Sequence, residues 1–163
     1  MKTLKFDFSN MGGICRMYAI PPSCIRRVRK DYMTGLYYVD FRNYDNIIFI
    51  PIYADDTFYF NEDQSFDNPG DGYSINIGGV IPKLMFENTS DISILERGQW
   101  YVLFADNNGR VKLAGDDEVR LKFLTHKTTG TRAADRNQIA FTFSSIQENP
   151  TIDITPDDID KIY

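Results

Sequence analysis

Apolar residues recur at every second position in three parts of this chain, and that period settles the class of fold before any motif is considered. Leu4, Phe6 and Phe8 alternate with Thr3, Lys5 and Asp7. Val119, Leu121, Phe123 and Thr125 alternate with Arg120, Lys122, Leu124 and His126, and Ile139, Phe141 and Phe143 with Ala140, Thr142 and Ser144. Successive side chains of an extended strand point to opposite faces, so each segment reads as a strand with one buried face. Two further runs, 46–52 (NIIFIPI) and 100–105 (WYVLFA), are apolar on both parities. Strands covered on both sides have that composition, which predicts a central place for both runs. Pro51 cannot donate to a ladder and should mark a strand end, bulge or edge. An aromatic content of 14% agrees, because aromatic side chains favour strands.

Segments 36–42, 57–61 and 73–81 also have strand composition, and the turn Asp106-Asn107-Asn108-Gly109 should join 100–105 to 110–114 as a hairpin. One helix is expected. Asn88, Thr89, Ser90 and Asp91 offer capping side chains, Ile92 and Leu95 share a face, and Gly98 stands where the helix would stop. Polar stretches at 61–72 and 128–138 read as long loops. The expectation is a mainly β fold, an antiparallel β-sandwich or barrel with one short flanking α-helix over about residues 90–97. A single β domain over 1–150 would be followed by an acidic C-terminal tail over 151–163.

The net charge of −5 argues against a domain built to neutralise phosphates. Lys5 and Asp7 interrupt what a secretion signal would need as an apolar run, and no stretch approaches the ~20 apolar residues that span a bilayer. Cytoplasmic synthesis, no membrane and no nucleic acid are therefore expected.

No constellation for chemistry stands out. Cys15 and Cys24 have no metal-ligand spacing and read as two buried reduced thiols. The Asp106–Gly109 turn places its glycine wrongly for a calcium loop. Asp55-Asp56 and Asp116-Asp117-Glu118 read as solvated loop charges, and His126, the only histidine, as a surface residue. Gly70, Gly72, Gly78 and Gly79 lack phosphate-loop spacing and read as turn and bulge residues. Arg26, Arg27, Arg29 and Lys30 form one basic cluster that reads as a solvated strand face. Asp157, Asp158 and Asp160 would be its acidic counterpart on the same or another copy. Trp100 reads as core, and the Tyr37-Tyr38 pair with Trp100 is the one candidate sugar platform. The sequence thus gives no catalytic, cofactor-binding or metal residue and no evident small-molecule ligand.

Several segments resemble a group of small, tail-associated structural proteins encoded by prophages of Bacteroidetes-type bacteria. These are KFDFSNMGGICRMYAIPPS at 5–23, NIIFIPIYADDTFYFNED at 46–63, GGVIPK at 78–83, ERGQWYVLFADNNGRVKLAG at 96–115 and TTGTRAADRNQIAFTF at 128–143, about half of the chain. The resemblance implies a non-enzymatic virion or tail assembly component, partnered by copies of itself and other virion proteins and located in the particle. It carries no functional residue with it. The alternative expectation is a monomeric carbohydrate- or peptide-binding β-sandwich that uses exposed tyrosines.

Overall fold

The computed structural model describes residues 12–52, 57–65, 72–82, 89–128 and 138–162. The expected strand at 4–8, Asp55-Asp56, Gly70 and the loop residues 129–137 lie outside the described residues.

The chain runs through β1 (Ile14–Ile20), a 3-10 turn (Pro22–Cys24), β2 (Ile25–Lys30), β3 (Tyr37–Phe41), β4 (Ile48–Phe49), β5 (Tyr59–Ser65), β6 (Gly72–Pro82) and α1 (Thr89–Arg97). It continues through β7 (Gln99–Asp106), β8 (Val111–Ala114), β9 (Leu121–Thr128), β10 (Gln138–Gln147), β11 (Ile152–Ile154) and α2 (Pro156–Asp160). The main ladder has the order β2-β3-β11-β8-β7-β9-β10-β6-β5, with β1 on β7 and β4 on β1. It does not close, so the structure is a sandwich-like folded sheet and not a barrel. All pairs are antiparallel except β11 with β3, where Ile154 faces Tyr37 in parallel.

The fold turns on β7. Its first residues pair with β9, Trp100 opposite Leu121, while the remainder pairs with β1 on one side and β8 on the other. Trp100, Val102 and Phe104 enter one core, shared with Phe123, Phe141 and Phe143 of β9 and β10 and with Ile75 and Ile77 of β6. The Phe60 and Phe104 rings meet across this core at 4.9 Å between centroids, holding the two layers face to face. Tyr101, Leu103 and Ala105 enter a second core with Val39, Ile154, Ile159 and Ile162. Both parities of 100–105 are buried, as the composition predicts. Each such aliphatic side chain contributes about 1.5–3 kcal/mol by leaving water.

The 46–52 run, apolar in the same way, is not central. β4 is a two-residue edge strand on β1, and Phe49 is 53% exposed. It stops at Phe49, two residues before Pro51, which cannot continue a ladder.

The hairpin between β7 and β8 forms as expected. Asp106 Oδ1 accepts the amides of Asn108 at 2.9 Å and Arg110 at 2.8 Å, and Gly109 adopts φ +78°. Helix α1 also forms where expected, burying Ile92 and Leu95. The Gly98 amide donates to Ile94 O at 3.1 Å, and Trp100 Nε1 donates to Leu95 O at 3.0 Å.

Four expectations are corrected. Residues 61–65, read as loop, extend β5 against β6, and Glu62 Oε2 accepts the Thr151 amide at 2.7 Å. Gly78 and Gly79, read as turn and bulge residues, sit in unbroken register with β10, and Gly78 also pairs with Tyr59 of β5. Residues 151–163, set apart as a tail, supply β11 inside the sheet and α2 against the second core, so the fold continues beyond residue 150. A second helix therefore joins the one expected. Five residues are too few for a periodic signal, and α2 is held by packing.

Candidate functional site

His126 is exposed on β9, as expected, and Trp100 is buried. Cys24 is buried and its thiol donates to Asn43 Oδ1 at 3.0 Å, but Cys15 is exposed, contrary to the expectation of two buried thiols. Both are free. The basic cluster is matched within its own hairpin. Arg27 Nε donates to Asp40 Oδ2 at 2.8 Å and Arg29 Nη2 to Asp40 Oδ1 at 2.9 Å, which holds the Asp40 carboxyl below the usual carboxylate range. The acidic residues considered as its counterpart are used elsewhere. Asp160 accepts from Arg16 at 2.7 Å, and Asp158 is buried. Among the described residues no group of three His, Cys, Asp or Glu side chains could hold a metal ion, and no helix is long and apolar enough to cross a membrane.

Two features remain, and the β2–β3 hairpin carries both. The first is its tip. Asp31 O accepts the Gly35 amide at 2.8 Å, and the Asp31 amide donates to Leu36 O at 2.8 Å. The Asp31 carboxylate accepts the Met33 amide at 2.9 Å and the Thr34 hydroxyl at 2.7 Å, while Gly35 adopts φ +78°. This ordered turn holds Tyr32 and Met33 90% and 95% exposed.

The Met33 amide, followed by the Thr34 hydroxyl, lowers the Asp31 pKa below its ordinary 3.8. A depressed carboxylate stabilises the turn fully above its ordinary pKa and stops doing so as pH falls through the lowered value. The Met33 amide resonance, followed by NMR during an acid titration, is expected to shift with a midpoint below 3.8. A midpoint above it would show that the bond does not favour the ionised form.

The second feature is a cleft of about 400 Å³ beside the hairpin. Val28 and Tyr37 come from the hairpin, Tyr101 from β7, Asp117 from the β8–β9 turn, Gln147 from the end of β10 and Ile152 from β11. Tyr101 donates to Asp117 Oδ1 at 2.7 Å, and the Arg120 guanidinium lies 5.6 Å from the centre of the Tyr101 ring. Burial first, and then the bond to Asp117, pushes the Tyr101 pKa up to about 12. The phenol keeps its proton at neutral pH and acts as a donor. Asp116 closes the turn, its Oδ1 accepting the amides of Glu118 at 2.9 Å and Val119 at 2.6 Å. Gln147 is 3% exposed, yet its Oε1 has no hydrogen-bond partner.

The cleft assembles Tyr37 from the candidate platform but not Trp100, which faces the opposite core. Sequence reasoning missed the others. One signal was present, because the buried parity of β10 runs Ile139, Phe141, Phe143 and then Ser145 and Gln147, so a polar side chain falls where an apolar one belongs. No protein-family model, curated protein or solved structure matches this chain.

Proposed function

We propose that this chain is a non-enzymatic structural protein of a phage or prophage particle, a tail assembly component. In this reading it works through contacts with copies of itself and with neighbouring virion proteins. The resemblance to prophage tail proteins supplies the setting, and the hairpin tip carries the argument. Tyr32 and Met33 are large, apolar and almost wholly in water, and the Asp31 bonds hold the turn that carries them. A solvent-facing apolar pair on an ordered turn suits an anchor that enters a partner's pocket, because little ordering entropy is lost on docking. Among the described residues the open ladder ends in β2 and β5, edges beside which further strands can lie.

The test is the double replacement Tyr32→Ser with Met33→Ser. Light scattering over a concentration series is expected to show assembly by the native chain and its loss in the variant. Unfolding free energy should change by no more than about 0.5 kcal/mol, as for surface positions without buried partners. Unchanged assembly would remove the tip from the mechanism, and a native chain monomeric at every concentration would count against self-assembly.

A further inference from the structure

We propose that the cleft beside the β2–β3 hairpin binds one hydroxyl-rich, uncharged sugar ring, either free or at the end of a glycan. At about 400 Å³ its volume lies near the lower end of the ~300–1,000 Å³ usual for small-molecule sites, which suits one ring and not a long chain.

Hydrogen bonding points to the class of ligand. Gln147 Oε1 is buried and unpartnered, and native folds leave few such atoms without a purpose. Asp116 uses Oδ1 on two backbone amides and Asp117 uses Oδ1 on the Tyr101 hydroxyl. Among the described residues the second oxygen of each is uncommitted. With the Asn149 amide in the same lining, the cleft offers several acceptors beside one donor group and suits an occupant whose groups mainly donate and can also accept.

Charge then separates an amine from a polyol. Two cations stand against the cleft's tyrosines, Lys30 over the Tyr37 ring at 5.5 Å and Arg120 over the Tyr101 ring at 5.6 Å, and match its two carboxylates in number. The local charge is already balanced, so a cationic ligand gains little, whereas several neutral O–H donors answer what the cleft lacks. Beside these groups and the Asn149 amide the lining is apolar, with Val28, Pro150, Ile152 and the two tyrosine rings, and can cover the C–H face of a pyranose. Strands or short turns supply each wall, so the geometry exists before the ligand arrives.

The experiment titrates the full chain with neutral hexoses, N-acetylhexosamines and deoxyhexoses, each as free sugar and as methyl glycoside, and separately with spermidine and lysine methyl ester. Binding is followed by amide chemical shifts and calorimetry. At least one neutral sugar is expected to bind saturably and to move the amides of Tyr37, Tyr101 and Gln147. Methyl glycosides that bind as well as the free sugar would identify a glycan end as the source, and preference for the reducing sugar would identify the free form. Gln147→Leu should weaken binding at least about tenfold, the loss expected when a ligand donor faces an apolar group. Its thermal midpoint should stay level or rise, because an unpaired buried oxygen is removed. The Tyr32→Ser, Met33→Ser variant should bind sugar normally, which separates this site from assembly. Saturable binding by the amines alone, no saturable response to any neutral sugar, or unchanged affinity in Gln147→Leu would each overturn the proposal.

Discussion

Replacing Asp158 by Ala is expected to remove about 3–5 kcal/mol of stability, a large share of the ~5–15 kcal/mol that holds a domain folded. Asp158 has no solvent exposure, and its Oδ2 accepts the Val39 amide at 2.8 Å and the Thr155 hydroxyl at 3.1 Å. Its Oδ1 accepts from Lys161, whose pKa rises in consequence. The substitution strands the buried Val39 amide at a cost of about 1–3 kcal/mol, leaves the Thr155 hydroxyl only a long bond to Tyr37 O at 3.5 Å, and removes the partner of a cation. Lys161 is half exposed and can turn to water, so the losses at Val39 and Thr155 dominate. Asp158→Asn keeps an acceptor for Val39 and should lose clearly less. Urea unfolding of both variants decides the matter, and equal losses would show that charge alone, without the Val39 bond, sets the effect.

Gly78→Ala should be nearly as damaging, at about 3 kcal/mol or more. A methyl group there would lie 2.5 Å from the Phe141 carbonyl oxygen and 2.7 Å from the Tyr59 hydroxyl. The first obstacle is backbone of the paired strand β10, which moves only if the ladder opens, so the cost should reach or pass the usual ~1–3 kcal/mol of overpacking. The neighbouring Gly79→Ala is the internal control. Its methyl group would meet Cγ of the buried Phe58 ring at 2.8 Å, so a core side chain must shift but the paired backbone need not. The urea midpoint should therefore fall further for Gly78→Ala than for Gly79→Ala. A Gly78→Ala midpoint indistinguishable from that of the native chain would mean that the β6–β10 spacing is softer than its geometry.

The elements legible in the sequence are those whose partners lie nearby. Asp106, Asn108 and Gly109 define a hairpin by local chemistry alone, and the parities of 100–105 state that both faces of β7 are covered. The same parity argument misplaces 46–52, because an apolar run encodes burial without saying which neighbour provides it, and Phe49 is left half in water. Gly78 and Gly79 read as turn and bulge residues, and only the position of Tyr59 and Phe58 reveals a close approach of chains instead. The strand at 152–154 has only three residues, bounded by Pro150-Thr151 and Thr155-Pro156, so nothing local marks it. Its partners are Tyr37 and 111–113. The cleft was illegible for the same reason, since Val28, Tyr37, Tyr101, Asp117 and Gln147 meet only through long-range pairing. The polar parity of Gln147 alone hinted at it.

The place of β11 between β3 and β8 also sets the order in which the chain can mature on the ribosome. β5, β6, β9 and β10 are all synthesised before residue 148 and can pair as they emerge. β3 and β8 cannot be joined until 152–154 appear, so the nascent chain passes through a state with two facing strand edges and no strand between them. A message cut short after β10 would yield that state permanently, giving a half-built sheet prone to pair with other chains instead of a smaller version of the same protein.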